Sequence, residues 1–150
     1  MREQLAQALK TALKAKDQRT LSTVRLILAA LKDRDIAART RGPGEGITDD
    51  EILALLQSMI KQRHESIALY EQGGRLELAK QEAEEIEVIK RFLPVQMEEA
   101  DQANAVDDTI ADLKAESLKD MGRVMAALKE RYAGRMDFAK ASALVKTRLA

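Results

Sequence analysis

Apolar residues recur along this chain at the spacing of one helix turn, and that spacing excludes most other folds. Leu5, Leu9 and Leu13 fall every four residues, with Ala6, Ala8 and Ala12 beside them. Side chains three or four apart share one face of an α-helix, whereas a half-buried strand needs strict alternation. The pattern predicts a first helix over 2–16. Asp17 stands where a cap is needed for a second helix over 18–39, whose inner stripe is Leu21, Val24, Leu28, Leu31 and Ile36, with Ile27 at its edge. RGPGEG at 41–46 breaks that helix and reads as the most flexible loop. Thr48 followed by Glu51 reads as a capping box, and Asp49 and Asp50 suit the positive end of a helix dipole. The third helix then carries Ile52, Leu55, Leu56, Met59, Ile60, Ile67 and Tyr70. It ends at Gly73 and Gly74, because glycine accepts a left-handed C-terminal conformation. A fourth helix over 76–92 turns Ala79, Ala83, Ile86, Ile89 and Leu93 inward. It closes at Leu93-Pro94, since the residue before proline resists the helical conformation.

Three shorter helices follow. One over 97–115 points Ala103, Val106, Ile110 and Leu113 inward. One over 120–133, with Asp120 as its N-cap, uses Met121, Val124, Met125 and Leu128 and stops at Gly134. The last starts after Asp137 and uses Phe138, Ala141, Leu144, Val145 and Leu149. The expected fold is therefore all-α: an N-terminal four-helix bundle over 1–94, then a small three-helix tail domain over 97–150. With seven Gly and two Pro there is little turn chemistry for an all-β alternative. With two Phe, two Tyr and no Trp, the core must be built from Leu, Ile, Val, Met and Ala.

Several function classes lose their footing at once. The chain has no cysteine, hence no disulfide and no thiolate. No run of about eighteen apolar residues is present, so no membrane span is expected. MREQLAQALK has no apolar segment of a secretory signal, which makes the cytoplasm the default location. His64 is the single histidine, lies off its helix's apolar stripe and lacks partners at metal-ligand spacing. Ser22, Ser58, Ser66, Ser117 and Ser142 sit in helical patterns without a nucleophile elbow. The carboxylate pairs Glu84-Glu85, Glu98-Glu99 and Asp107-Asp108 diverge by roughly 100° on a helix. No phosphate-binding loop is present, since the glycines at 42–46 lack a following Lys-Ser/Thr. The expectation is a protein with no catalytic residue, no metal and no cofactor, which acts by binding.

Charge carries the remaining information. Net charge is zero, but residues 1–41 hold ten Lys/Arg against four Asp/Glu and residues 119–150 hold eight against three. Between them, residues 95–118 hold one against seven. Basic ends face a polyanion, pair with the acidic middle inside the fold, or simply stay solvated. Within the first bundle, Arg25, Arg63, Glu82 and Glu85 lie on apolar stripes. A buried Arg needs a carboxylate, so Arg25 and Arg63 are expected to meet Glu82 or Glu85; the alternative is that their stems lie on apolar surface with their heads in water. In the tail, Gly122 sits unusually early in a helix with Lys119, Arg123, Arg135, Lys140 and Lys146 around it. Glycine there allows close approach of a phosphate, or else tight helix packing.

These residues also carry a resemblance. KDMGRVM at 119–125, AGRMD at 133–137 and SALVK at 142–146 resemble the tail domain of GatB, one component of the tRNA-dependent amidotransferase that acts on Asp-tRNA(Asn) and Glu-tRNA(Gln). LKAKDQRTLSTVRLILAALK at 13–32, IKQRHESIALYEQGGR at 60–75 and FLP at 92–94 resemble the stand-alone YqeY-type proteins of the GatB/YqeY group. One departure stands out: where the family pattern is Gly-Arg-Ala-Asp-Gly, this chain has Gly134-Arg135-Met136-Asp137-Phe138. In the amidotransferase the tail helps hold the tRNA, while glutamine hydrolysis and amidation occur elsewhere. The resemblance thus implies a non-catalytic accessory protein that binds tRNA or another structured RNA. Lys119, Gly122, Arg123, Arg135, Lys140 and Lys146 are its candidate contacts. A carbon–nitrogen ligase label would be inherited from the larger relative. The competing expectation is a helical adaptor for a protein partner, using an apolar groove around Met121, Val124 and Met125.

Overall fold

A computed structural model describes residues 1–42, 44 and 46–150. Seven α-helices and two single 3₁₀ turns occur among the described residues, with no strand. The chain divides into two compact units, Met1–Pro94 and Val95–Ala150. Part of the loop expected at 41–46 lies outside the described residues, at positions 43 and 45.

The N-terminal unit holds α1 (Arg2–Ala15), α2 (Gln18–Ala38), α3 (Asp49–Gln72) and α4 (Leu76–Lys90). Asp17 caps α2 by accepting from the Thr20 N–H, and Thr48 caps α3 by accepting from the Glu51 N–H. Gly74 has φ +70, and past it the Arg75 N–H reaches back to the Tyr70 carbonyl at 2.8 Å, which closes α3. α1 packs along α2, α3 along α4, and α2 also lies against α4 and α3. Leu5, Ile27, Leu31, Ile52, Leu55, Leu56, Met59 and Ile89 form the core.

Some stripe assignments are revised. α1 buries Leu5 and Ala12, seven residues apart, while Leu13 is 58% exposed. Leu13 follows Ala12 and is therefore turned roughly 100° away from the buried line. Ile36 and Ala83 are also exposed, and Val88 takes an inner position instead. α3 buries apolar residues only as far as Met59, so Ile67 and Tyr70 are half-covered.

The C-terminal unit holds α5 (Glu99–Leu113), α6 (Met121–Arg131) and α7 (Phe138–Leu149), each packed on the other two. α5 starts later than expected because residues 96 and 97 bond elsewhere. The Gln96 side-chain amide donates to the Gly134 carbonyl at 2.6 Å, and the Met97 N–H donates to the Arg135 carbonyl at 2.9 Å. Val106, Val124, Leu128, Met136, Ala141 and Val145 fill the core.

Candidate nucleic-acid interface

The segment 117–123 begins one turn earlier than the sequence suggests. Ser117 is the cap of a 3₁₀ turn, Leu118–Asp120, that leads directly into α6. Asp120 is therefore not a simple N-cap of α6. Its carboxylate accepts from the Glu116 N–H at 2.9 Å and the Ser117 N–H at 3.4 Å, closing a capping box. The Glu116 N–H first, then the Arg123 guanidinium and the Ser117 N–H, hold the Asp120 carboxyl below its ordinary value. The helix start thus already carries its anion. Gly122 does not serve close packing, since a Cβ there would meet nothing within 4 Å.

The candidate cations fall into two groups. Arg123 donates to the Leu113 carbonyl at 3.0 Å and pairs with Asp120 at 3.2 Å. Lys140 pairs with Glu99 on α5 at 3.3 Å. Lys119, Arg135 and Lys146 are exposed and have no anionic partner among the described residues. Lys140 and Lys146 are both on α7 but six positions apart, so they project from different sides of the helix. α5 also holds Arg131 through Asp112 and Arg148 through Asp107, each at 2.9 Å. The acidic stretch read from the sequence therefore neutralises much of the basic C-terminal stretch inside one unit.

The apolar groove considered around Met121, Val124 and Met125 is closed. Val124 is fully buried, and the two methionines are half-buried and packed against the core. The open groove of this unit lies between α5 and α7, where Glu99, Gln102, Ala103, Lys140, Ala143, Leu144 and Thr147 line about 470 Å³. Gln102 Oε1 is buried without a hydrogen-bond partner, while its amide donates to the Met97 carbonyl. The departure from the family pattern at 136 also has a place: Met136 is wholly inside the core.

In the N-terminal unit the polar residues on apolar stripes divide. Arg63 Nε donates to Glu85 at 3.0 Å and lies 3.8 Å from Glu82. Arg63 and Glu85 are 14% and 7% exposed at their side chains, so this pair is largely out of water. Burial, then the Glu85 charge, raises the Glu82 carboxyl, against the pull of Arg63. Arg25 does not join them; it is exposed. Arg19 takes that place, bonding Glu84 at 3.0 Å and approaching Glu85 at 3.9 Å. The two arginines are six positions apart, so they leave α2 in different directions, and α4 lies on the side of Arg19. A second cluster escaped the sequence reading: Arg2 holds Asp35 through two hydrogen bonds and donates to the Ile47 carbonyl at 2.9 Å. Nothing local in the sequence joins residues 2, 35 and 47.

No group of three or more His, Cys, Asp or Glu that could hold a metal occurs among the described residues. No helix among them is long and apolar enough to cross a membrane.

The profile of the YqeY-like protein family matches residues 2–149. The chain belongs to the YqeY-like family. Curated relatives include the protein named "Altered inheritance of mitochondria protein 41, mitochondrial" from three yeasts. The Kluyveromyces lactis protein is 32% identical over 73% of this chain and 58% of its own length. The Lachancea thermotolerans protein is 31% identical over 75% of this chain and 57% of its own. The Clavispora lusitaniae protein is 35% identical over 61% and 52%. The chain thus spans a little over half the length of these relatives. Their names place them in mitochondria, which overturns the cytoplasmic expectation for a family of this kind. The physical reason is that lacking an apolar N-terminal run argues only against a secretory signal; mitochondrial targeting segments are amphipathic and arginine-rich instead.

Proposed function

We propose that this protein is a non-catalytic accessory factor that binds tRNA or another structured RNA. In this reading it is built as two domains, a four-helix bundle over 1–94 and a three-helix tail over 97–150. The observation that carries the reading is the exposed set Lys119, Arg135 and Lys146, which has no internal anion among the described residues. Cations kept free of internal partners are available to phosphates, and such contacts are insensitive to base sequence and weaken with salt. Gly122 adds open surface beside Lys119. Arg123 and Lys140 contribute less, because each must first leave an internal carboxylate.

The test is fluorescence anisotropy with bulk tRNA at about 50 and about 200 mM salt, a span over which several phosphate contacts change affinity by orders of magnitude. The Lys119→Gln/Arg135→Gln/Lys146→Gln variant should bind more weakly and with a shallower salt dependence. Absence of wild-type binding at the lower salt would defeat the RNA reading. A protein partner would then be sought at the α5–α7 groove.

A further inference from the structure

The other basic stretch of the chain is only partly neutralised. α1, α2 and the turn joining them carry eight Lys/Arg, at 2, 10, 14, 16, 19, 25, 32 and 34, against Glu3, Asp17, Asp33 and Asp35. Internal bonds consume cations and acids unequally. Arg2 takes Asp35, and Arg19 reaches Glu84 on α4. Asp17 is occupied as the α2 cap, where it accepts from the N–H and hydroxyl of Thr20. Lys10, Lys14, Lys16, Arg25, Lys32 and Arg34 are left exposed and without an anionic partner among the described residues. Glu3, Asp33 and Asp17, whose carboxylate keeps its charge in the cap, are the acids that remain beside them.

The cations are arranged along the helices. Lys10 and Lys14 are four apart and share the outer side of α1, opposite Leu5 and Ala12. Arg25 and Lys32 are seven apart, two turns along one side of α2, on the side away from buried Thr23 and Ile27. α1 and α2 pack together, joined by a turn of two residues, so both rows belong to one helical hairpin.

From this we infer that the α1–α2 hairpin is a second polyanion-binding surface, made for the phosphates of a double-helical nucleic acid and centred on Lys10, Lys14, Arg25 and Lys32. The inference rests on the RNA-binding reading above and adds to it a surface on the other unit. Charge complementarity selects the phosphate chain. Two features select a folded duplex over a single strand or an anionic membrane. The hairpin contains no aromatic residue, so bases have no stacking platform. The apolar side of α1 is spent against α2, and the exposed Leu13, Leu26 and Ile36 are scattered, one on α1 and two ten positions apart on α2, so they form no broad apolar face to enter lipid.

The experiment uses the whole chain carrying Lys10→Gln/Lys14→Gln/Arg25→Gln/Lys32→Gln. All four sites are exposed, and circular dichroism checks that helicity is kept. In anisotropy with bulk tRNA, the variant should bind at least about tenfold more weakly at about 100 mM salt. The slope of log affinity against log salt should fall by about two to four, close to one per lost contact. The charge-preserving exchange Arg25→Lys/Lys32→Arg should bind as the wild type does, since a phosphate contact needs charge at the position. Wild-type binding with an unchanged slope in the quadruple variant would overturn this inference while leaving the RNA reading intact. No tRNA binding by the wild type would overturn both. Wild-type binding to phosphatidylserine–phosphatidylcholine vesicles that tRNA does not displace, and that the quadruple variant loses, would assign the hairpin to a membrane and likewise overturn it.

Discussion

The two units treat charge in opposite ways. The N-terminal unit buries an ion pair, Arg63–Glu85, and leaves a row of cations on α1 and α2 exposed and unmatched. The C-terminal unit keeps its inter-helix pairs Arg131–Asp112, Lys140–Glu99 and Arg148–Asp107 near the surface, where they offset one another's charge. A buried pair resists loss of either partner, because the survivor is stranded away from water. Exposed pairs contribute little to stability, but they do remove free charge from the surface. The lesson is that a basic stretch in a sequence is not yet a basic surface. Both ends of this chain are basic; α5 pairs three cations of the C-terminal end, whereas α4 takes only Arg19 from the N-terminal one.

The largest expected effect breaks the buried pair. Arg63→Met takes from buried Glu85 its closest cation, leaving only Arg19 at 3.9 Å, and should cost about 3 kcal/mol, seen as urea sensitivity and faster hydrogen exchange confined to the N-terminal unit. A loss below about 1 kcal/mol would mean the pair is hydrated and the contrast between the units is false. Met136→Ala tests the other unit, which relies on apolar burial; emptying that fully buried site should cost about 2–5 kcal/mol there. If exchange in 95–150 were unchanged, Met136 would not be a core residue.

Asp35 gives a pH-dependent effect of intermediate size. The Arg2 hydrogen bonds, then the Ile47 N–H, pull its carboxyl from 3.8 to about 2. A depressed folded value means its stabilisation is present above about 3.8 and is lost as pH falls through about 2. Asp35→Asn should therefore destabilise the N-terminal unit at neutral pH by about 1.5–3 kcal/mol, the range for bonds to charged groups. The gap between wild type and variant should close between about pH 4 and pH 2; a constant gap would remove charge as the cause. Glu82 has the opposite sign. Its folded value lies above 4.5, so it opposes folding at neutral pH, and acidification relieves that as pH falls towards 4.5. The smallest effect is expected for Arg131→Gln or Arg148→Gln, each under about 1 kcal/mol and diminished by salt. A large loss would show that the exposed pairs of the C-terminal unit act as a network.

Much of the fold was legible before any coordinates. Helix starts at Asp17 and Thr48 and the stop at Gly73-Gly74 follow from single residues with strong local preferences, and the structure has them there, whereas α4 ends at Lys90, short of the expected stop at Leu93-Pro94. Capping at 117–120 was less legible, because Ser117 and Asp120 both fit an N-cap and only their mutual bonding decides between them. The candidate site was partly legible. Lys119, Arg135 and Lys146 keep the exposure that an interface needs, but the sequence has no sign that Arg123 and Lys140 already hold carboxylates. Arg19 was overlooked for a similar reason. Its partners are 65 and 66 positions away on α4, and helical periodicity says which side of α2 it occupies without saying what lies opposite.

What the sequence by itself determined is the set of helices, their ends, the membership of the family and the uneven placement of charge. These are local or summed properties, set by periodicity of 3.6, by capping atoms within a few residues and by composition. Tertiary structure alone decided which cations stay free. Pairing across helices depends on rotations and neighbours that no local preference encodes. Arg19 therefore faces Glu84 while Arg25 faces water, and α5 pairs Lys140 and Arg148 of α7 while Lys10, Lys14 and Lys32 of α1 and α2 stay exposed.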